Sequence, residues 1–498
     1  MPEQALASTT DVWSQLIVGV VLLVLFALLA KRATHRVVVS MMCVGFVWVV
    51  TYLTPFHLIS FEAAAAAVDL NVLMLLAGMM AVVGVIKSTG GFTWAVARLT
   101  SRARGRPQAA AGLVAWSTAI TSAFLDNVTT VVWVTPMAMR LSKRMRLAPV
   151  ALLVPMVLAA NLGGTATLIG DPPNVIIGSG AGLTFMGFIR NVTAPVLVMM
   201  VLLQWYTAWY YRDAYASARD AVPDETVEEP ELRDPALFRW MLVICVGIAV
   251  GFFTQSLTGT PVAVPAVIGA ALALVVQDWR YVRRHAPTAE ERAHGILRVI
   301  EKDIEWPALS FFVFLFILVG AAVHTGLASS VAGGMGWILA YVRDALGLSD
   351  RNTLLFAALA TCWVSAVISA IIDNVPYVMV SVPILAHFIP TIRGETDVLW
   401  WALALGVCLG GVATVPGASA NVTAMRLARE EGVEIRYPEY SRFAVPMALL
   451  GLVVASLFLV DFVLVGGAQA RTTAWLAALA LVFVEVVRAR RRRAALGR

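Results

Sequence analysis

The chain has 498 residues, of which 60% are hydrophobic and only 14% charged. A soluble domain carries about 25% charged residues, so that class is excluded. The net charge of +6 would hint at nucleic acid in a soluble protein, but its placement here marks a membrane face.

About eleven apolar runs of roughly 17 to 25 residues are each long enough to cross a ~30 Å hydrocarbon core as helices, and too long for barrel strands. The first, 12–30, is neither preceded by a basic n-region nor followed by a cleavage site, so it is expected to remain as a span. Basic clusters fall at 31–36, 87–106, 140–146, 212–239, 280–302, 426–442 and 488–498, and together hold 32 of the 37 Lys and Arg. One alternation of sides fits them all, with the N-terminus outside and the C-terminus inside.

Two segments break the alternation. The stretch 108–139 lies between basic clusters, so both its ends are cytoplasmic. Its second arm, Val128 to Met139, would be ~18 Å of helix, enough to reach the midplane and too short to cross. A re-entrant hairpin is expected, with its tip at Leu125 to Thr130. A Gly/Pro-interrupted helix follows over 148–178, and 12–211 forms a first repeat. The segment 212–239 reads as a solvated cytoplasmic linker with an acidic run at Asp224, Glu225, Glu228, Glu229 and Glu231. A second repeat, 240–463, holds a hairpin at 354–386 and an interrupted helix at 398–425. A final span and basic tail complete the chain over 473–498.

The repeat is visible residue by residue. At an offset of 247, AITSAFLDNVTTVVWVTP (119–136) and AVISAIIDNVPYVMVSVP (366–383) share eight of 18 positions, and NLGGTATLIGDPPN (161–174) and CLGGVATVPGASAN (408–421) share seven of 14. Upstream, an offset of 236 aligns Asp69 with Glu305 and Thr89-Gly90 with Thr325-Gly326. The span at 69–87 then runs inward and its counterpart at 305–324 outward, so the repeats are inverted. In such carriers, paired interrupted segments point to a substrate site near the midplane.

Asp126, Asp171 and Asp373 fall inside the bilayer, where an ionised carboxylate costs ~3 kcal/mol and normally serves transport. With no Lys or Arg in the spans to pair them, they hold protons, bind a cation, or rest on backbone donors. Gly163-Gly164 and Gly410-Gly411 would permit unwinding. Asn127, Asn374, Asn174 and Asn421, with Thr165, Thr167 and Thr414, offer neutral ligands. Sodium is a candidate at Asp126, Asn127, Asp373 and Asn374. Cys43, Cys245, Cys362 and Cys408 show no CxxC spacing and read as packing residues. Leu168-Ile169-Gly170-Asp171 lacks the first glycine of a protease GxGD, and there is no HExxH, so no enzyme is expected.

ANLGGTATLIGDPPNVIIGS (160–179) and the upstream DNVTT resemble the ion transporter superfamily, most closely its branch of P protein and ArsB-type arsenite permeases. That branch is related to sodium/proton antiporters and to dicarboxylate and citrate carriers. The resemblance implies an elevator-type carrier in the inner membrane, with a scaffold, a transport domain holding two opposed hairpins, often a homodimer, and no cofactor beyond a coupling H+ or Na+. It implies one site from Asp126, Asn127, Thr129, Gly163, Thr165 and Asn174, and another from Asp373, Asn374, Gly410, Thr414 and Asn421. Dicarboxylate carriers usually show Ser-Asn-Thr at the tips and Thr in place of Asp171. The anionic centre here therefore favours a neutral or cationic solute exchanged for protons, such as arsenite or sodium. A sodium-coupled carboxylate carrier and a channel-like anion conductance are the alternatives.

Overall fold

The computed structural model describes residues 11–31, 35–100, 103, 106–219, 232–285 and 299–494. Among these, every regular element is helical, as a bilayer requires when each backbone amide must be satisfied within its own segment. The helices are α1 (Val12–Lys31), α2 (Arg36–Leu53), α3 (Phe61–Ala66), α4 (Leu70–Ser88), α5 (Gly91–Thr100), α6 (Pro107–Ser122), α7 (Asn127–Arg144), α8 (Val150–Thr165) and α9 (Pro172–Ala181). Next come α10 (Phe185–Tyr210) with a π-turn at Ile189–Thr193, α11 (Arg212–Arg219), α12 (Pro235–Thr258) and α13 (Ala263–His285). The second half holds α14 (Trp306–His324), α15 (Leu327–Leu346), α16 (Asp350–Ile371), α17 (Asn374–Phe388), α18 (Val398–Ala413), α19 (Ser419–Glu430), α20 (Tyr437–Val465) and α21 (Gly467–Ala494).

Eleven helices among the described residues are long and apolar enough to cross a membrane. The number matches the sequence reading, but the membership differs. Length admits α16 and the helix beginning at Asn374, which were read as hairpin arms, and omits the interrupted α8 and α18 because each half is short. The arm expected to stop at Met139 continues through Pro136 to Arg144, since its basic last turn is as helical as its apolar part. Of the expected linker, Arg212–Arg219 is helical and Pro235 already opens α12, with Tyr215 donating to the Ala151 carbonyl at 2.8 Å. The acidic run at 224–231 lies outside the described residues, as do the last four residues of the basic tail.

The helices sort into two groups by what they touch. In one, α4 packs on α13, α13 on α12, and α2 on α14. Arg280 pairs with Asp234 at 2.9 Å and Lys87 with Asp303 at 2.9 Å within this group. In the other, α6 packs on α8 and α16 on α18, α10 and α20 lie against them, and α21 lies against α10 and α20. Close approach there depends on glycine: a Cβ at Gly163 would stand 2.1 Å from the Ala119 carbonyl, and one at Gly410 2.2 Å from that of Ala366. The two halves of this second group brace each other reciprocally, α7 against α19 and α17 against α9.

Candidate functional site

α8 ends at Thr165 and α9 begins at Pro172; α18 ends at Ala413 and α19 begins at Ser419. The helix therefore runs through Gly163-Gly164 and Gly410-Gly411 and opens only after them. Gly163 and Gly410 serve contact with α6 and α16, while Gly164 and Gly411 face Gly170 and Gly417 across the breaks. Each break leaves carbonyls without intrahelical partners, and the chain satisfies them twice in the same way. Asn174 Nδ2 lies 3.3, 3.1 and 2.9 Å from the carbonyls of Gly164, Thr165 and Thr167. Asn421 Nδ2 donates to Gly411 and Thr414 at 2.8 Å each. The Thr167 hydroxyl donates to the Ala123 carbonyl and that of Thr414 to Ala370, and each accepts from a glycine N–H, Gly170 at 3.2 Å and Gly417 at 3.1 Å. A hydroxyl from the following helix completes each set, Thr193 to Ala166 at 2.7 Å and Tyr440 to Val412 at 3.0 Å.

The hairpin tips are N-caps. Asp126 accepts from the Thr129 N–H at 2.8 Å and from its hydroxyl, holding the start of α7. Asp373 starts α17, accepting from the Val375 N–H at 3.3 Å; Pro376 stands where Thr129 does, and Ser419 Oγ of the second break donates instead, at 2.7 Å. Asp171 caps no N–H with its side chain and is 2% exposed.

Tips and breaks meet at a cavity of about 400 Å³ lined by Asp126, Asn127, Asp171, Pro172, Asp373, Asn374, Pro416 and Ser419 from the second helix group, and by Arg36, Met80, Glu305 and Phe311 from the first. Of the sequence candidates, Asp126, Asn127, Asp171, Asp373 and Asn374 line it. Asn174, Asn421, Thr167 and Thr414 hold the breaks; Thr129 holds Asp126; Thr165 bonds back to the Asn161 carbonyl at 2.8 Å; Gly163 and Gly410 set helix contact.

The sequence reading placed no Lys or Arg in the spans, yet basic side chains share the cavity with the carboxylates. Arg36, His35 and Arg426 line the same cavity, and the Arg36 guanidinium sits 5.5 Å from the Phe311 ring centre. They come from helix ends that the cavity reaches, which span counting places outside the membrane. Glu305 was visible only as the repeat mate of Asp69. Cys408, read as packing, lies 3.7 Å from Asp171 Oδ2, and its repeat mate Asn161 bonds to Asn127 at 3.2 Å and Asn421 at 2.7 Å. Their different first letters in NLGG and CLGG were the available signal. Among the described residues no cluster of three His, Cys, Asp or Glu side chains is arranged to hold a metal.

Two interrupted helices and two capped hairpins around a polar cavity, in an all-helical polytopic membrane protein, define a transporter. Residues 21–406 match the family described as Citrate transporter, and the chain belongs to this CitMHS family. An uncharacterized transporter of Mycobacterium tuberculosis is 32% identical over 438 residues, covering 87% of this chain and 95% of that protein. The human P protein is 28% identical over 475 residues, 80% of this chain and 54% of that one, which bears out the kinship inferred from GGTATLIGDPPN. The crystal structure of the Alcanivorax borkumensis YdaH transporter shares the fold with a TM-score of 0.59 at 16% identity, covering 90% of this chain and 98% of that one.

Proposed function

We propose that this transporter moves a small inorganic ion or metalloid, arsenite, antimonite or sodium, in exchange for protons. The observation that carries the reading is the meeting of Asp126, Asp171 and Asp373 at one cavity. With Glu305 the cavity holds four carboxyl groups against the guanidinium groups of Arg36 and Arg426, and the excess negative charge calls for a cation or protons, so loading them is coupled to whatever else enters. Asp126 and Asp373 bind proton and solute alternately. The cavity lies between the two helix groups, and the reciprocal bracing of α7 on α19 and α17 on α9 makes the second group one body. That body moves against the first in an elevator-type cycle. In this reading the halves are inverted, the N-terminus is outside, and a homodimer sits in the inner membrane.

A sodium-coupled citrate-like carrier is the second reading. Arg36, His35 and Arg426 on the cavity wall and the family's description favour it, because a carboxylate escorted by cations would meet both signs of charge.

Proteoliposomes given arsenite, antimonite, sodium or citrate, one at a time, against an imposed pH gradient separate the two. The first reading expects proton-linked arsenite, antimonite or sodium flux that Asp126→Asn and Asp373→Asn each abolish. If both variants leave proton-linked flux intact, it is wrong. Sodium-dependent citrate uptake lost in Arg36→Gln supports the second.

A further inference from the structure

Asn161 sits on α8 one turn before the first break, 2% exposed. Its two N–H groups go to the Val157 carbonyl at 2.9 Å and to Asn421 Oδ1 at 2.7 Å, and its own Oδ1 accepts from Asn127 Nδ2 at 3.2 Å. Asn421 in turn commits both its N–H groups to the carbonyls of Gly411 and Thr414. Every amide in the series is thereby fixed in orientation. Turning Asn161 over would set its NH2 against that of Asn127 and its oxygen against that of Asn421. One line of hydrogen bonds therefore runs from Asn127, on the cavity wall beside Asp126, through α8 to the carbonyls opened by the second break. In a buried setting such bonds polarise one another and resist independent movement.

The repeat mate of Asn161 is Cys408. A thiol is a single weak donor, and this one reaches Asp171 at 3.7 Å and Asn174 at 3.8 Å. Both belong to the first break. The hydrogen bonds that Cys408 makes thus give the first break no counterpart link to the second tip. An amide bridge joins tip one to break two, and the reciprocal bridge is replaced by a thiol.

We propose that Asn161 is the positioning residue that couples the two half-sites, so that loading at Asp126 and Asn127 is transmitted through Asn421 to the segment where Ser419 holds Asp373. Cys408 provides no second amide bridge, and the coupling carried by Asn161 acts on both tips alike. The inference rests on the reading that these aspartates take up protons or cations.

The test is a double-mutant cycle on the full chain in nanodiscs. The probe is dicyclohexylcarbodiimide, which labels protonated membrane carboxyls, read by mass spectrometry at Asp373 across pH. In the Asn161 background, Asp126→Asn shifts the midpoint of Asp373 labelling by about one pH unit, as interacting sites do. With Asn161→Cys, less than half that shift remains; with Cys408→Ala, it persists. Equal shifts with and without Asn161, or no shift in either, overturn the coupling. If Asn161→Cys does not fold, Asn161→Leu enters the cycle, since it keeps the side-chain volume and has neither donor nor acceptor. Absence of labelling at both Asp126 and Asp373 at every pH overturns the underlying reading instead, so the two failures are distinct.

Discussion

At the first break Asn174 gathers the carbonyls of Gly164, Thr165 and Thr167, and at the second Asn421 gathers those of Gly411 and Thr414. The supporting hydroxyls and close-contact glycines are duplicated as well. Apart from the Asp-Asn pairs at the two tips, the groups facing the cavity or joining the halves are not: Asp171 is matched by Ala418, Pro172 by Ser419, Thr129 by Pro376 and Asn161 by Cys408. Backbone carbonyls at membrane depth demand the same donors wherever a helix opens, so that part cannot drift. The cavity needs only the sum of its charges, which two unequal halves can supply. Outside the two tips, duplicated residues therefore report on folding, and unduplicated ones on transport.

The strongest way to break this comparison is to insert volume where both halves forbid it. Gly163→Val and Gly410→Val each push a side chain into a backbone carbonyl that cannot turn aside, costing more than the ~1–3 kcal/mol of ordinary overpacking. Both variants are expected to lose monodisperse protein on size-exclusion chromatography. Survival of one and loss of the other would show that the halves are not packed alike.

The unduplicated carboxylate sharpens it. Asp171→Ala copies the second half into the first and is expected to reduce proton-linked flux at least tenfold, about 1.4 kcal/mol of barrier, while leaving the thermal midpoint of the purified protein within a few degrees. Flux unchanged by Asp171→Ala would place all of the coupling at the tips.

The helix breaks could be read from the 247-residue offset because residues that satisfy backbone must recur. Asp126 and Asp373 could be read because a carboxylate stands out in an apolar run. Which Asn faces the cavity could not be read, since Asn127 and Asn174 differ only in what three-dimensional packing places before them. Arg36 and Glu305 were hidden for a related reason: a residue at a helix end looks interfacial until a cavity is seen to reach it. The arm ending at Arg144 was cut short because apolar pattern was taken as the limit of helix.

Removing a duplicated amide should harm stability in both halves. Asn174→Ala and Asn421→Ala each leave buried carbonyls without donors, about 1–3 kcal/mol, and each should lower the thermal midpoint by several degrees. Asn421→Ala also ends the run through Asn161, so its loss should be the more damaging to flux.

The smallest effect tests the finest point of likeness. Thr193→Val and Tyr440→Phe keep side-chain shape and delete only the hydroxyl that reaches Ala166 or Val412. A side-chain hydrogen bond inside a membrane protein contributes about 0.6 kcal/mol, so each variant should shift the midpoint by about 2 °C or less. The two hydroxyls arrive differently: the short Thr193 is the last residue of the π-turn Ile189–Thr193 in α10, whereas the longer Tyr440 reaches its carbonyl from an α-helical turn. A π-turn is costly relative to α-helix and often marks a functional position. If the Thr193 contact holds that turn in place, Thr193→Val should release it, and amide exchange over 189–194 should rise. Tyr440→Phe should leave exchange over 437–442 unchanged. Equal exchange in both variants would mean that the π-turn is set by its own packing, with the hydroxyl contact following from it.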